Sequence, residues 1–175
     1  MITISNYVKA ESLEQAYELN QKRTNRILGG MMWMRLSKGR VQTAIDLSGL
    51  GLDQIEESDE EFRIGCMCSL RSLELHKGLN TYFQNAIKES VRHIVGVQFR
   101  NGATVGGSIF GRFGFSDVLT CFLALDSYVE LYKGGIVSLA DFVKMERDHD
   151  ILVRIILKKN DCKVRYITER VTATD

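Results

Sequence analysis

Two pairs of adjacent glycines carry the chemistry this sequence can offer. The stretch from Gln98 to Ser108 sets Gly106-Gly107 after the β-branched pair Thr104-Val105 and before the hydroxyl of Ser108, with Asp117 following. A second pair, Gly29-Gly30, follows the short apolar segment Ile27-Leu28. Lacking a Cβ, such pairs let the backbone approach a ligand closely and expose its N–H groups. A run of N–H donors suits a phosphate or pyrophosphate, and two separated pairs suggest a clamp on an extended diphosphate. A single Gly-Gly is more often a tight turn than a ligand site, so the weight rests on the combination.

Other chemistry is harder to assemble. Cys66 and Cys68 form a C-x-C, and neither Cys121 nor Cys162 has a partner two or three positions away, whereas iron–sulfur and zinc sites need paired spacings. Buried thiols in a reducing cytoplasm are the expectation. His76, His93 and His149 are scattered, and no nucleophile–base or paired-carboxylate arrangement emerges. The chain therefore carries no catalytic machinery of its own.

The elements that must position the glycines alternate between strand and helix. Ile2–Val8 reads as a strand. Ser12 reads as an N-cap with Gln15 at the capping-box position and Leu13, Ala16 and Tyr17 on one face. Ile27-Leu28 is a short strand running into Gly29-Gly30, and Thr43–Leu47 is a third, together a small βαβ layer. Beyond Leu52, Gln54–Glu57 and Glu61–Ile64 flank Ser58-Asp59-Glu60 as an antiparallel hairpin whose acidic tip is solvated. Phe83, Ile87, Val91 and Ile94, spaced by 4, 4 and 3, predict one long helix. Ser116-Asp117 caps an apolar helix over Val118–Leu125. Tyr128–Tyr132 and Ile136-Val137 form a hairpin around Lys133-Gly134-Gly135, Ser138 caps a short helix to Val143, and Ile151–Leu157 and Lys163–Ile167 are late strands.

Composition bounds the rest. The 175 residues suit one domain with a real core; 45% are hydrophobic and 26% charged, and the net charge is +1. That balance offers no basic field for nucleic acid. No apolar run approaches the length of a membrane span, and the N-terminus lacks a signal-peptide pattern, so a cytoplasmic location is expected, with no membrane partner.

Several of these segments, in order, resemble the flavin-binding domain of the molybdenum hydroxylases, the FAD subunit of xanthine dehydrogenase, carbon monoxide dehydrogenase and their relatives. The family's A-G-G-T-[DS]-L is matched by Leu28-Gly29-Gly30-Met31-Met32-Trp33, and its I-R-N-x-A-T-[IV]-G-G-N-[IL] by Phe99-Arg100-Asn101-Gly102-Ala103-Thr104-Val105-Gly106-Gly107-Ser108-Ile109. Asp117 follows at the family's distance, Leu125-Asp126-Ser127 is similar to L-D-A, Arg63-Ile64-Gly65-Cys66 to R-I-G-A, and Ser138-Leu139-Ala140-Asp141-Phe142 to P-L-x-D-F. The match is collinear from about residue 5 to about residue 160.

The resemblance implies an α+β fold of two small α/β subdomains with FAD between them. Residues 1–50 would form the βαβ layer, 51–160 an antiparallel sheet with helices, and 161–175 a tail. It assigns Leu28, Gly29, Gly30, Met31, Met32 and Trp33, and Thr104, Val105, Gly106, Gly107 and Ser108, to the FAD phosphates and ribitol. Asp117 would hold a polar group of the cofactor, and Ile94 and Leu152 would pack near its rings. The implied function is electron transfer. FAD would take electrons from an iron–sulfur subunit, fed by a molybdopterin-binding subunit that hydroxylates a purine-like substrate, and pass them to NAD or another acceptor. The alternative is a non-catalytic assembly scaffold of the same fold that has lost FAD.

Three departures qualify the match. Met31 and Met32 replace the family's threonine and acidic or serine residue, which removes a hydroxyl but keeps the backbone donors. One lost neutral hydrogen bond costs about 0.5–1.5 kcal/mol, so affinity falls by about tenfold or less. Ser108 replaces an asparagine, with a shorter reach. The family continues into a further C-terminal domain whereas this chain ends at Asp175, so either the subunit is short or the product is partial, and Arg165–Arg170 could be that domain's first strand. Arg100 either pairs with a phosphate or braces the turn. Phe110, Phe113 and Phe115 form an aromatic loop suited to an interface or a cofactor cover.

Overall fold

A computed structural model describes residues 1–160 and 163–167. Two separate sheets organise the chain. The first is parallel, with β1 (Ile2–Lys9), β2 (Arg26–Leu28) and β3 (Gly39–Asp46) in the order β1-β3-β2, and α1 (Leu13–Asn20) connecting β1 to β2. The central strand, β3, is the apolar one, with Val41, Ala44 and Ile45 buried, while β1 at the edge leaves Tyr7 exposed. This strand begins four residues before the Thr43 start expected from its apolar run. Gly39, Arg40 and Val41 pair with β1 through backbone groups, which hydropathy does not register.

The second sheet is antiparallel. It is built from β4 (Ile55–Glu57), β5 (Glu61–Gly65), β6 (Ser127–Leu131), β7 (Gly135–Ser138) and β8 (Leu152–Lys158), in the order β4-β5-β8-β6-β7. β8 lies in the middle, and its run of Leu152, Val153, Ile155, Ile156 and Leu157 is buried, as a strand covered on both faces requires. Both predicted hairpins are present. The acidic tip of the first is not wholly solvated, however: Glu61 is buried and paired with Lys158 and Arg63.

Helices fill the space between β5 and β6: α2 (Leu70–Leu75), α3 (Lys77–Tyr82), α4 (Ala86–Arg92), α5 (Val97–Gly102), α6 (Val105–Phe110) and α7 (Asp117–Leu123), with α8 (Leu139–Phe142) following β7. All are short, and most begin on a side-chain cap. Ser12, Ser69, His76, Thr104, Ser116 and Ser138 each accept a hydrogen bond from a first-turn amide. Gln15 completes the first cap by accepting from the Glu11 amide.

The predicted long helix through Phe83, Ile87, Val91 and Ile94 is broken. Gln84 and Asn85 take left-handed backbone angles, with φ of 51° and 64°, and separate α3 from α4. The cause is buried Asn80. Its amide donates to the carbonyls of Leu73, Glu74 and His76, and its oxygen accepts from the Lys88 amide, which holds three helix ends together. α2 carried no signal that marked it in advance. Lys163–Ile167 forms no strand, while Cys162 and the Thr168–Arg170 end of the suggested final strand lie outside the described residues, as does most of the 161–175 tail. The other three cysteines are buried free thiols.

Candidate functional site

The site begins where β2 runs out. Leu28 is buried against Val41 and Ala44, and the chain then turns through Gly29-Gly30 to Met31, whose φ of 57° is unusual for a side chain of that size. Among the described residues, none of the amides of Gly29, Gly30, Met31 and Met32 is engaged in a hydrogen bond. This turn is a row of open donors. Met31 packs on the first sheet's small apolar cluster and Met32 on the main core, so the methionines that replace the family's polar pair serve as filling.

The second glycine pair is not a turn. Thr104 caps α6, its Oγ1 accepting from the Gly107 amide at 3.2 Å, and Gly106-Gly107 lie in the first turn of that helix. The Val105 amide donates to Cys68 and the Gly106 amide to Cys66, at 2.8 and 2.9 Å. The Val105 and Gly106 amides are thus engaged by the loop after β5, while Thr104, Gly106 and Gly107 still line the cleft that Gly29 borders. The glycines are also needed for close packing. A Cβ on Gly106 would come 2.7 Å from the Cys66 carbonyl oxygen.

The two glycine segments touch. A Cβ on Gly29 would stand 2.7 Å from Thr104 Oγ1, and one on Gly30 only 1.5 Å from the Gly102 carbonyl oxygen. Backbone meets backbone here, which only glycine permits. Beside this contact opens a cavity of about 440 Å³, within the usual range for ligand sites. Of the residues expected from sequence, Leu28, Gly29, Thr104, Gly106, Gly107 and Leu152 line it. Phe110 of the aromatic loop lines it as well.

Others stand elsewhere. Gly30 and Val105 adjoin lining residues without lining the cavity themselves, and Met31 and Met32 do not line it. Trp33 is 61% exposed and meets Phe99 and Phe115 edge-on. The Ser108 hydroxyl donates to the Thr104 carbonyl, Ile94 packs on the core away from the cavity lining, and Asp117 accepts from the Tyr166 hydroxyl at 3.0 Å. Burial, and then the Asp117 carboxylate, push the Tyr166 phenol up to about 12. Arg100 braces rather than binds: its buried guanidinium donates to Glu74 and to the Ile94 carbonyl.

Several lining residues carried no sequence signal. Asn20, at the end of α1, donates to the His149 carbonyl and so ties the first sheet to the loop before β8. In that loop the Asp150 carboxylate accepts from the amides of Lys133, Gly134 and Ile151. Arg26 and Arg147 bring cations to the wall, and Asp148 an acid. Cys66 lines the cavity, and burial pushes its thiol up to about 12, so it is protonated and inert at neutral pH. Open amides, a glycine-lined contact and apolar walls fit an elongated phosphate-bearing ligand.

A two-sheet fold with a donor-lined cleft between the sheets defines a nucleotide-cofactor domain. The chain belongs to the family described as the FAD binding domain in molybdopterin dehydrogenase, which it matches over residues 3–159, and FAD is the cofactor of that domain. It is 28% identical to the uncharacterised protein YgfM of Escherichia coli K12 over 94% of this chain and 64% of that protein. Its fold is similar to reconstituted CO dehydrogenase from Oligotropha carboxidovorans, with a TM-score of 0.79 and 21% identity over 90% of this chain and 60% of that one. Quinoline 2-oxidoreductase from Pseudomonas putida 86 gives 0.78 and 18% over 91% and 60%. The chain thus spans under two thirds of the length of these relatives.

Proposed function

We propose that this chain is the FAD-binding electron-transfer component of a molybdenum-containing hydroxylase or dehydrogenase. The observation that carries this reading is the meeting of the two glycine segments at one cleft, with the amides of Gly29–Met32 open beside it. When bound, FAD would supply one-electron acceptance from an iron–sulfur partner and two-electron release to an acceptor such as NAD, and the protein supplies position and electrostatics. The Gly29–Met32 amides hold phosphate oxygens, Thr104 Oγ1 and the bare faces of Gly106 and Gly107 form the floor, and Leu28, Leu152 and Phe110 exclude water. Cys66 stays a neutral wall.

The partners are an iron–sulfur subunit that delivers electrons and a molybdopterin-binding subunit that oxidises a purine-like substrate, as in xanthine dehydrogenase. NAD or another acceptor takes the electrons away, and the assembly is cytoplasmic. Support comes from the family membership and from the kind of enzymes whose folds resemble this one. The test is direct. Trp33 is the sole tryptophan of the chain and follows the first glycine turn, so titrating FAD into the apo chain should quench its fluorescence with micromolar or tighter affinity. Absence of quenching and of bound flavin at millimolar FAD would rule the reading out and leave a colourless scaffold in its place.

A further inference from the structure

Four aromatic rings, those of Trp33, Phe99, Phe113 and Phe115, stand together and take no part in lining the cavity. Trp33 follows the first glycine turn directly, and Phe113 and Phe115 belong to the loop that joins α6 to α7. Phe113 and Phe115 stack with ring centroids 5.2 Å apart and planes 15° from parallel. Trp33 meets Phe115 and Phe99 edge-on, at 6.3 and 6.0 Å. Such rings are normally turned inward, yet Trp33 is 61% and Phe115 70% exposed, and Leu36, three residues beyond Trp33, is 67% exposed. Single exposed apolar residues need no explanation, but a contiguous aromatic patch marks an interaction surface.

The charge around this patch is one-sided. Its rings come from two stretches, residues 21–45 and 95–116, which together hold eight Lys and Arg and no Asp or Glu, although the whole chain is balanced at 23 basic against 22 acidic side chains. Arg100 is spent on Glu74, and Arg26 on carbonyls of its own loop. Arg35 and Lys38, on either side of Leu36 in sequence, are exposed, and among the described residues neither has a carboxylate within ion-pair distance. Arg147 adds a cation 5.8 Å from the Phe113 ring centroid, with Glu146 and Asp148 beside it in sequence. Asp117, the acid that follows the loop, is engaged by the Tyr166 hydroxyl. Aromatic rings rimmed by arginine are the composition of a protein interface, and a cationic rim selects an acidic face. The patch sits on loops and short helical turns, not on an amphipathic helix of the kind that seats in a lipid surface.

We propose that the patch around Trp33 and Phe115 is the docking face for an acidic protein surface, that of the iron–sulfur subunit. Position supports that partner: Trp33 adjoins Met32, the last of the open amides assigned to the phosphates, so a chain seated here lies beside the cofactor. Phe113 and Phe115 fill the centre of the contact, and Arg35, Lys38 and Arg147 form its rim. The proposal rests on the FAD reading above and goes beyond it by naming the face and the sign of the charge that the partner presents.

The experiment titrates the full chain with the iron–sulfur subunit encoded in the same gene cluster, purified with its clusters, by calorimetry, and follows FAD separately by flavin fluorescence. Phe115→Ser should weaken the complex about thirtyfold or more, the effect of losing a central aromatic anchor, and leave FAD affinity unchanged. Arg35→Glu should slow association and flatten its salt dependence. Ile136→Ser removes a comparably exposed apolar side chain from β7 of the other sheet and should leave the complex as in the wild type. Circular dichroism and the thermal midpoint verify that each variant folds. No complex with the wild-type chain, or one that Phe115→Ser leaves intact, overturns the assignment. Loss of FAD affinity in Phe115→Ser also overturns it and makes the loop a cofactor cover. Binding to vesicles of anionic phospholipid that Phe115→Ser abolishes, with the protein complex unchanged, overturns it in favour of a lipid surface. A wild-type chain that binds no FAD, alone or in the complex, overturns the functional reading instead.

Discussion

At the scale of residues, the conspicuous charges near the glycine-rich stretch are structural. Arg100 and Arg71 converge on Glu74 at 2.9 and 2.8 Å, and Arg100 and Glu74 are nearly buried. Burial by itself would raise the Glu74 carboxyl, but the hydrogen bonds from Arg71 and Arg100 outweigh it and hold the group below its ordinary value. The sign follows from linkage. A carboxyl depressed in the folded state contributes its full stability above the unfolded value, near pH 4.3, and loses it as pH falls through the folded value. The urea midpoint of the wild type should therefore drop between pH 5 and pH 3, and Glu74→Gln should show a smaller drop from a lower starting point. An identical pH slope in the two proteins would mean that Glu74 is not held down. Sequence left Arg100 undecided because its neighbours in the motif are backbone, and its partner lies 26 positions away on α2.

At the scale of elements, what sequence made legible depended on whether the signal was local. Caps at Ser12, Ser116 and Ser138, both hairpins, and the buried strand β8 follow from residues within a few positions of one another. The break between α3 and α4 does not. The apolar spacing of Phe83, Ile87, Val91 and Ile94 is satisfied by two helices as well as one, since all four sit on the core with or without a kink. The choice is made by Asn80, two of whose four hydrogen bonds reach back to carbonyls of α2. Asn80→Ala strips partners from the carbonyls of Leu73, Glu74 and His76 and from the Lys88 amide. It should cost roughly 2–3 kcal/mol in a denaturant titration, several times an ordinary surface change. The Lys88 amide should also exchange hydrogen faster, whereas those of β8 should change only with global stability.

At the scale of the molecule, the cleft was half legible. Its glycines stand out by motif and Leu152 only through the family resemblance, while Asn20, Arg26 and Arg147 come from distant segments with no spacing in common. Nor could any pattern tell that the α6 amides would be taken by the loop after β5. That asymmetry makes a distinctive expectation. A ligand that binds only the folded chain adds about 2.7 kcal/mol at a hundredfold excess over Kd, which for a chain of this size is a rise of about 5–10 °C in Tm. Any specific cleft ligand would do as much, so the thermal shift alone does not locate the phosphates. Hydrogen exchange does. In the apo chain the amides of Gly29–Met32 have no acceptor among the described residues, while Val105, Gly106 and Gly107 are already bonded. FAD should slow exchange in the first group by orders of magnitude and leave the second changed only by the global gain. Protection gained at Val105–Gly107 and none at Gly29–Met32 would place the diphosphate on α6 and remove the first glycine turn from the phosphate-binding role proposed for it.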